Sequence, residues 1–305
     1  IFNQLLDAIP VNAGLIMVGD VDQLPSVGPG NVLKDIIRSG KIPYIRLNEI
    51  HRQKRDSFII SNAHRINKGK KLSLPPNNDK NKLWDFYKIE QEDKEEILKL
   101  IITLCKERIP QRFKFDSIND IQILTPMRVR DLGSNNLNYI LQKNLNPNKS
   151  YLERGRTRFK LGDKVMQTRN NYDKDVFNGD IGRISFIDKE NNTLTVSYDN
   201  KEVTYETNEL DELELAYAIS IHKSQGSEYK AVIIPIHTQH YIMLKRNLLY
   251  TAVTRGKELV ILIGMNKALN IAIQNISVQT RYTLLSERIL NQLQNEQIKN
   301  KYELF

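Results

Sequence analysis

The chain has 305 residues, 40% of them hydrophobic, with 45 Lys and Arg against 36 Asp and Glu, a formal net charge of +9. That length and apolar content suit two domains with buried cores rather than a disordered or fibrous chain, and the positive balance favours a polyanionic partner such as nucleic acid. One cysteine, Cys105 in the apolar run Ile101-Ile102-Thr103-Leu104-Cys105, excludes a disulfide framework within the chain. It reads as a small core residue in a reducing compartment, and no apolar stretch reaches the roughly 18 residues of a membrane span, so a cytoplasmic protein without a membrane partner is expected.

Phe2, Leu5, Leu6 and Ile9 recur at helical spacing, and Pro10 and Gly14 punctuate before the run Leu15-Ile16-Met17-Val18, which reads as a buried parallel strand. A helix over Val32 to Arg38 and a strand over Tyr44 to Leu47 follow, then a helix within Asp56 to Lys71 that ends at the Pro75-Pro76 loop. The alternation continues with a strand at Phe86 to Ile89, a helix at Lys94 to Glu107, a strand at Ile121 to Leu124 and a helix at Asn135 to Leu145. Repeated βα units predict a parallel sheet covered by helices on both faces.

Near Tyr151 the texture changes. Short β-type segments at Lys164 to Gln167, Ile181 to Ile187, Thr193 to Tyr198 and Glu202 to Tyr205 are divided by Gly162-Asp163, Asn178-Gly179-Asp180 and Asp199-Asn200, which predicts a small antiparallel barrel inserted into the α/β domain. The α/β pattern then resumes with Ala216 to Ile221, Ala231 to Ile236, a helix at Asn247 to Arg255 and the strand Leu259 to Gly264. From Ser286 the tail is polar and compatible with helix.

The densest chemistry lies directly after the first apolar run, in Gly19-Asp20-Val21-Asp22-Gln23-Leu24-Pro25-Ser26-Val27-Gly28-Pro29-Gly30. Polar residues at the carboxyl end of a buried strand occupy the edge where α/β sheets bind ligands, and a glutamine there can orient water or sense a terminal phosphate. An Asp-capped turn is the plain alternative. Downstream stand Leu47-Asn48-Glu49-Ile50-His51-Arg52-Gln53, Thr125-Pro126-Met127-Arg128, Ile219-Ser220-Ile221-His222-Lys223-Ser224-Gln225-Gly226-Ser227-Glu228 and Tyr250-Thr251-Ala252-Val253-Thr254-Arg255-Gly256-Lys257.

In that order these strings resemble motifs III, IV, a DNA-backbone segment, V and VI of the RecD-like group of superfamily 1 helicases, over roughly residues 1 to 285. The resemblance implies an ATP-dependent DNA helicase with Gln23, Arg52 and Arg255 as catalytic groups. Asp20, Gln23, Arg52, Gly226, Glu228 and Arg255 would meet the nucleotide. Thr125, Arg128, Ser220, His222, Lys223 and Thr251 would meet DNA. It also implies ATP and Mg2+ as cofactors, and as partners single-stranded DNA, duplex junctions, an N-terminal RecA-like domain and, in one branch, the other exonuclease V subunits. Travel from 5′ to 3′ in repair or recombination belongs to the same set of expectations. The plain alternatives are a solvated His222-Lys223 pair and solvated arginines. Likewise Arg154, Arg156, Arg158, Lys160, Arg169, Tyr172 and Lys174 suit either a single-strand channel or a solvated face of the barrel.

The expected fold is α/β and RecA-like, with an SH3-like barrel. Residues 1–55 would end a first RecA-like domain, 56–151 and 211–275 form a second, 152–210 the barrel and 276–305 a tail. No Gly-x-x-x-x-Gly-Lys-Ser/Thr phosphate loop occurs, and Asp211-Glu212 follows a polar stretch rather than an apolar strand. The residues therefore read as part of a longer protein, with negligible ATP hydrolysis alone and no metal ligands of their own. Two alternatives stand beside this reading, a non-catalytic nucleic-acid-binding module and the helicase part of a conjugative relaxase.

Overall fold

The computed structural model describes residues 1–26, 28–47, 57–76, 82–199, 201–277 and 281–292. By contact it divides into two units, Ile1–Asn48 with Gln279–Phe305, and Glu49–Val278.

In the larger unit five strands form one parallel sheet. They are β1 (Phe86–Glu90), β2 (Ile121–Thr125), β10 (Ala218–Ser220), β11 (Tyr229–Ile236) and β12 (Gly256–Gly264), in the order β1-β12-β11-β2-β10. All five residues of β2 are buried, as the near-continuous apolar composition of a strand covered on both faces requires. On β12, Leu259, Ile261 and Ile263 join one core with Ile97 and Ile101 of α4 (Lys94–Thr103) and Leu137 and Leu141 of α6 (Ser134–Leu145). The intervening Val260 and Leu262 are equally buried. They point the other way, where α3 (Phe58–Asn67) and α7 (Arg246–Thr254) lie against β12.

The expected helix over Lys94 to Glu107 differs in one respect. After Thr103 it widens into a π turn, Leu104–Arg108, before α5 (Ile109–Phe113). Pro110 has no N–H for the carbonyl four residues back, and its ring crowds that carbonyl, so the backbone opens just upstream. Cys105 sits in this turn fully buried, and burial pushes its thiol up to about 12, which keeps it inert.

Residues 151–215 form the second sheet. The hairpin β3 (Tyr151–Arg154) and β4 (Thr157–Lys160) adjoins a five-stranded antiparallel sheet ordered β8-β7-β6-β5-β9, with β5 at Lys164–Gln167, β6 at Ile181–Asp188, β7 at Thr193–Tyr198, β8 at Lys201–Glu206 and β9 at Leu213–Leu215. Burial alternates along β7, with Leu194, Val196 and Tyr198 inward, and these pack with Phe159, Val165, Ile184 and Tyr205 in a core of their own.

The two sheets of this unit are joined by buried polar groups. The Asp163 carboxylate, fully buried, accepts from the Lys160 backbone N–H, from Asn146 and Gln142, and from the Tyr217 hydroxyl at 2.8 Å. Burial raises its pKa while the four donors oppose the rise. Beside it the buried Lys164 ammonium donates to the Ile121 carbonyl at the start of β2, and burial lowers its pKa to about 8.

The smaller unit departs from expectation. Its helices α1 (Phe2–Ala8) and α2 (Val32–Ser39) form as read. Leu15-Ile16-Met17-Val18 and Tyr44-Ile45-Arg46-Leu47 do not become strands, and Ile16, Val18, Ile45 and Leu47 are 86 to 92% exposed. A parallel strand exists only through its neighbours' hydrogen bonds, and among the described residues of this unit there is none to pair with. The tail is also more than an appendage. Arg281 donates to the carbonyls of Ser26, Gly28 and Gly30, and the Thr283 hydroxyl donates to Asp35 on α2.

Asp163→Ala should leave four buried donors unanswered and destabilise the larger unit by about 3 kcal/mol or more in denaturant unfolding. Asp163→Asn, which restores one acceptor, should lose less.

Candidate nucleotide and nucleic-acid edges

A parallel sheet sends every strand's carboxyl end to one edge. Register pairs Ser220 of β10 with Thr125 of β2, and Ile233 of β11 with Ile123 of β2, so the segments 126–133, 221–224 and 237–245 leave the sheet side by side. Thr125 itself is buried, and its hydroxyl donates to the Leu132 carbonyl at 2.6 Å. Its position suits holding the 126–133 loop rather than touching a ligand. That loop is tightly wound. Arg130 adopts φ 73°, and a Cβ on Gly133 would lie 2.1 Å from the Val129 carbonyl oxygen, so only glycine fits there.

Arg128 leaves the loop exposed and meets the Glu214 carboxylate of β9 at 3.3 Å. Lys223, from the 3-10 turn Ile221–Ser224 that follows β10, pairs with the same carboxylate. Ser220 caps the turn by accepting from the Lys223 backbone N–H. Beside Lys223, partial burial and then the Lys245 ammonium lower the pKa of His222. Four of the sequence-predicted residues, Arg128, Ser220, His222 and Lys223, thus come together at the carboxyl edge. Glu214, which no motif string marks out, joins two of them.

The same edge carries a turn absent from the motif strings, the 3-10 turn Thr238–Met243 after β11. His237 caps it, accepting from Gln239 N–H at its Nδ1, while its own N–H donates to Nδ1 of His240. His240 is fully buried, and desolvation, with smaller contributions from His237 and Arg130, lowers its pKa to about 4.

At the opposite, amino edge of the sheet the chain from Gly226 enters β11 next to the start of β12. The Tyr229 N–H donates to the Arg255 carbonyl, and Arg255 Nη1 donates to the Ser227 carbonyl at 3.0 Å. Lys257 pairs with Glu228 at 3.3 Å. Gly226 has φ +85° with open space where a Cβ would stand, so the backbone itself is approachable there. Three of the predicted nucleotide residues, Gly226, Glu228 and Arg255, are therefore neighbours. Thr251, predicted to meet DNA, is fully buried on α7 and offers no surface to a strand.

In the smaller unit Asp20 organises the predicted loop, accepting from the Asp22 backbone N–H at 2.9 Å and from Gln23 Nε2 at 3.0 Å, and Arg46 pairs with Asp22 at 2.8 Å. Arg52 lies outside the described residues. Of the basic residues on the antiparallel sheet, Arg154 forms two bonds to Asp211, Arg158 pairs with Glu153 and Lys174 with Glu209.

The buried neutral His240 sets a pH signature. Unfolded it takes a proton below about 6.5, folded only near 4, so the unfolded state binds more protons between those values and stability is lost as the pH is lowered across them. The loss should approach about 3 kcal/mol, and His240→Gln should flatten that part of the stability–pH curve.

Known proteins match the chain in the same segments. Residues 2–83 match the AAA domain family, 137–198 the ATP-dependent RecD-like DNA helicase SH3 domain, and 215–263 the UvrD-like helicase C-terminal domain. The ATP-dependent RecD2 DNA helicase of Deinococcus radiodurans is 34% identical over 285 residues, covering 93% of this chain and 37% of that protein. RecBCD enzyme subunit RecD of Haemophilus influenzae is 27% identical, over 84% of this chain and 47% of its own length. The corresponding subunit of Mycolicibacterium smegmatis is 27% identical, over 94% and 51%. The chain thus spans about half or less of these relatives. Its fold is α/β and RecA-like with an SH3-like antiparallel sheet, and the domain matches and the relatives, agreeing along its length, support a RecD-like superfamily 1 helicase.

Proposed function

We propose that the chain is the motor-completing part of an ATP-dependent DNA helicase, coupling nucleotide hydrolysis to movement along single-stranded DNA and to unwinding at duplex junctions. The observation that carries this reading is the division of one parallel sheet into two differently equipped edges. The Gly226, Glu228 and Arg255 group stands at the amino edge, and the Arg128, Ser220, His222 and Lys223 group at the carboxyl edge.

At the amino edge the donor set suits a nucleotide. Arg255 is planar, permanently charged and held by the Ser227 carbonyl, so it can neutralise charge that spreads over phosphoryl oxygens. A guanidinium in that role contributes about 10³ to 10⁵ in rate, far above a surface ion pair. Gln23, held by Asp20 in the smaller unit, and Arg52 are proposed for water orientation and a second guanidinium on their motif strings alone. The described residues bring no group of three or more His, Cys, Asp or Glu side chains together. No residue of this chain is assigned here to the Mg2+ that accompanies ATP, and the phosphate loop and magnesium ligands would come from an N-terminal RecA-like domain.

At the carboxyl edge Arg128, His222 and Lys223 would meet backbone phosphates, which position a strand without reading its sequence. Thr125 and Thr251 would act from beneath by holding loop and helix. Glu214 competes for the same two cations, so a phosphate entering there exchanges one anion for another. The domain division is proposed as read from the sequence, as are 5′ to 3′ travel, a role in repair or recombination, and exonuclease V subunits as partners. Because the phosphate-binding cations belong to the larger unit, the chain by itself would act as a nucleic-acid-binding module with negligible ATP hydrolysis.

In the whole protein, Arg255→Ala should abolish DNA-stimulated ATP hydrolysis and unwinding while single-strand affinity stays within a few-fold; a matching loss of affinity would assign Arg255 to DNA or to the fold. In the 305-residue chain, Lys223→Ala should weaken oligonucleotide binding and reduce the slope of log affinity against log salt by up to about one unit. Glu214→Gln, measured the same way, should tighten binding a few-fold at low salt.

A further inference from the structure

The turn Thr238–Met243 presents two large side chains that no core uses. Tyr241 is 68% exposed and Ile242 78% exposed. They are displayed by a built support rather than by a loose end. His237 caps the turn and its Nε2 lies 3.1 Å from the Glu92 carbonyl. Thr238 contacts Met265, and His240 and Leu244 are buried beneath. A turn fixed from below that turns an aromatic and an aliphatic side chain to solvent pays the solvation cost of both, and their adjacency marks a contact surface.

The surroundings identify the occupant. Parallel pairing of β11 with β2 sets the turn beside the 126–133 loop, where Arg130 is exposed on a left-handed backbone. On its other side Lys245 lies close enough to act on His222, and Arg128 and Lys223 continue the line of cations. Of the carboxylates along this edge, Glu214 is engaged by Arg128 and Lys223 and Asp131 by Lys94, while Glu92 is exposed where its carbonyl meets His237. Cations interleaved with an exposed ring are the composition that holds single strands, the cations taking phosphates and the ring taking a base face.

We infer that Tyr241 and Ile242 form a base-stacking platform for single-stranded DNA, with Arg130 and Lys245 as the flanking phosphate contacts. The inference rests on the reading of the carboxyl edge as the strand-binding edge and adds to it a contact that depends on the bases. Phosphate contacts alone hold a strand equally well with or without bases; a stacking platform does not.

The test compares the 305-residue chain binding labelled dT12 and an abasic 12-mer of equal charge, each at two salt concentrations. The wild type should prefer dT12 by roughly 10-fold. Tyr241→Ala with Ile242→Ala should bring that ratio near one while abasic affinity stays within two-fold, and Tyr241→Phe should keep it. Both side chains are exposed, so an unchanged thermal melt accompanies the expected result. Salt-dependent binding of both oligonucleotides without base preference would overturn the platform and leave the edge reading standing. So would a preference that survives in the double variant, or an equal loss of both affinities. Absence of salt-dependent binding to either oligonucleotide, with Lys223→Ala changing nothing, would remove the edge reading and the platform together.

Discussion

The parallel pairing of β2 with β10 on one side and β11 on the other is the constraint on which the arrangement of the larger unit rests. Three parallel strands in contact must deliver their following loops to one edge and their preceding loops to the other, whatever the loops contain. The peptide from Ser220 to Tyr229 therefore crosses from edge to edge, starting beside Lys223 and Arg128 and ending beside Arg255. One short stretch of chain is bound at both ends to different chemistry. His222 and Gly226 lie only four residues apart on it, so the two edges are connected by a short covalent path.

A second constraint ties the antiparallel sheet to this frame. Asp163, Lys164, Gln142, Asn146 and Tyr217 make a buried polar seam rather than an apolar one. Apolar seams tolerate sliding, because many registers bury similar area. A carboxylate with four directional donors has one satisfactory position, and every displacement leaves a buried donor unanswered. The antiparallel sheet consequently travels with the parallel one as a single piece.

Much of this was legible in the sequence where a residue's burial follows from its own strand or helix. The apolar runs at Ile121 to Leu124, Ala231 to Ile236 and Leu259 to Gly264 became central parallel strands because strands covered on both faces are apolar throughout. The alternation in Thr193 to Tyr198 declared an inner and an outer face. What was not legible depends on partners distant in sequence. Leu213 to Ser220 is a largely apolar stretch broken only by Glu214 and the terminal Ser220, yet Leu213–Leu215 pairs antiparallel with β5 and Ala218–Ser220 pairs parallel with β2. Leu15-Ile16-Met17-Val18 has a strand's composition but finds no ladder among the described residues. Thr125 carries a motif signature and turns out to serve a loop carbonyl. Glu214, Tyr241 and Ile242 acquire meaning only once the fold places them beside Arg128, Lys223 and Arg130.

The bonds from Arg281 to the carbonyls of Ser26, Gly28 and Gly30 give the smaller unit a discontinuous chain, opened near the amino end and finished after residue 278. During synthesis the loop carbonyls of Ser26, Gly28 and Gly30 leave the ribosome 251 to 255 residues ahead of the arginine that fastens them. The strands of both sheets of the larger unit all lie between Phe86 and Gly264 and are made in that interval. The loop that follows Gln23 is thus made ahead of the other predicted sites and fastened by a residue made after all of them.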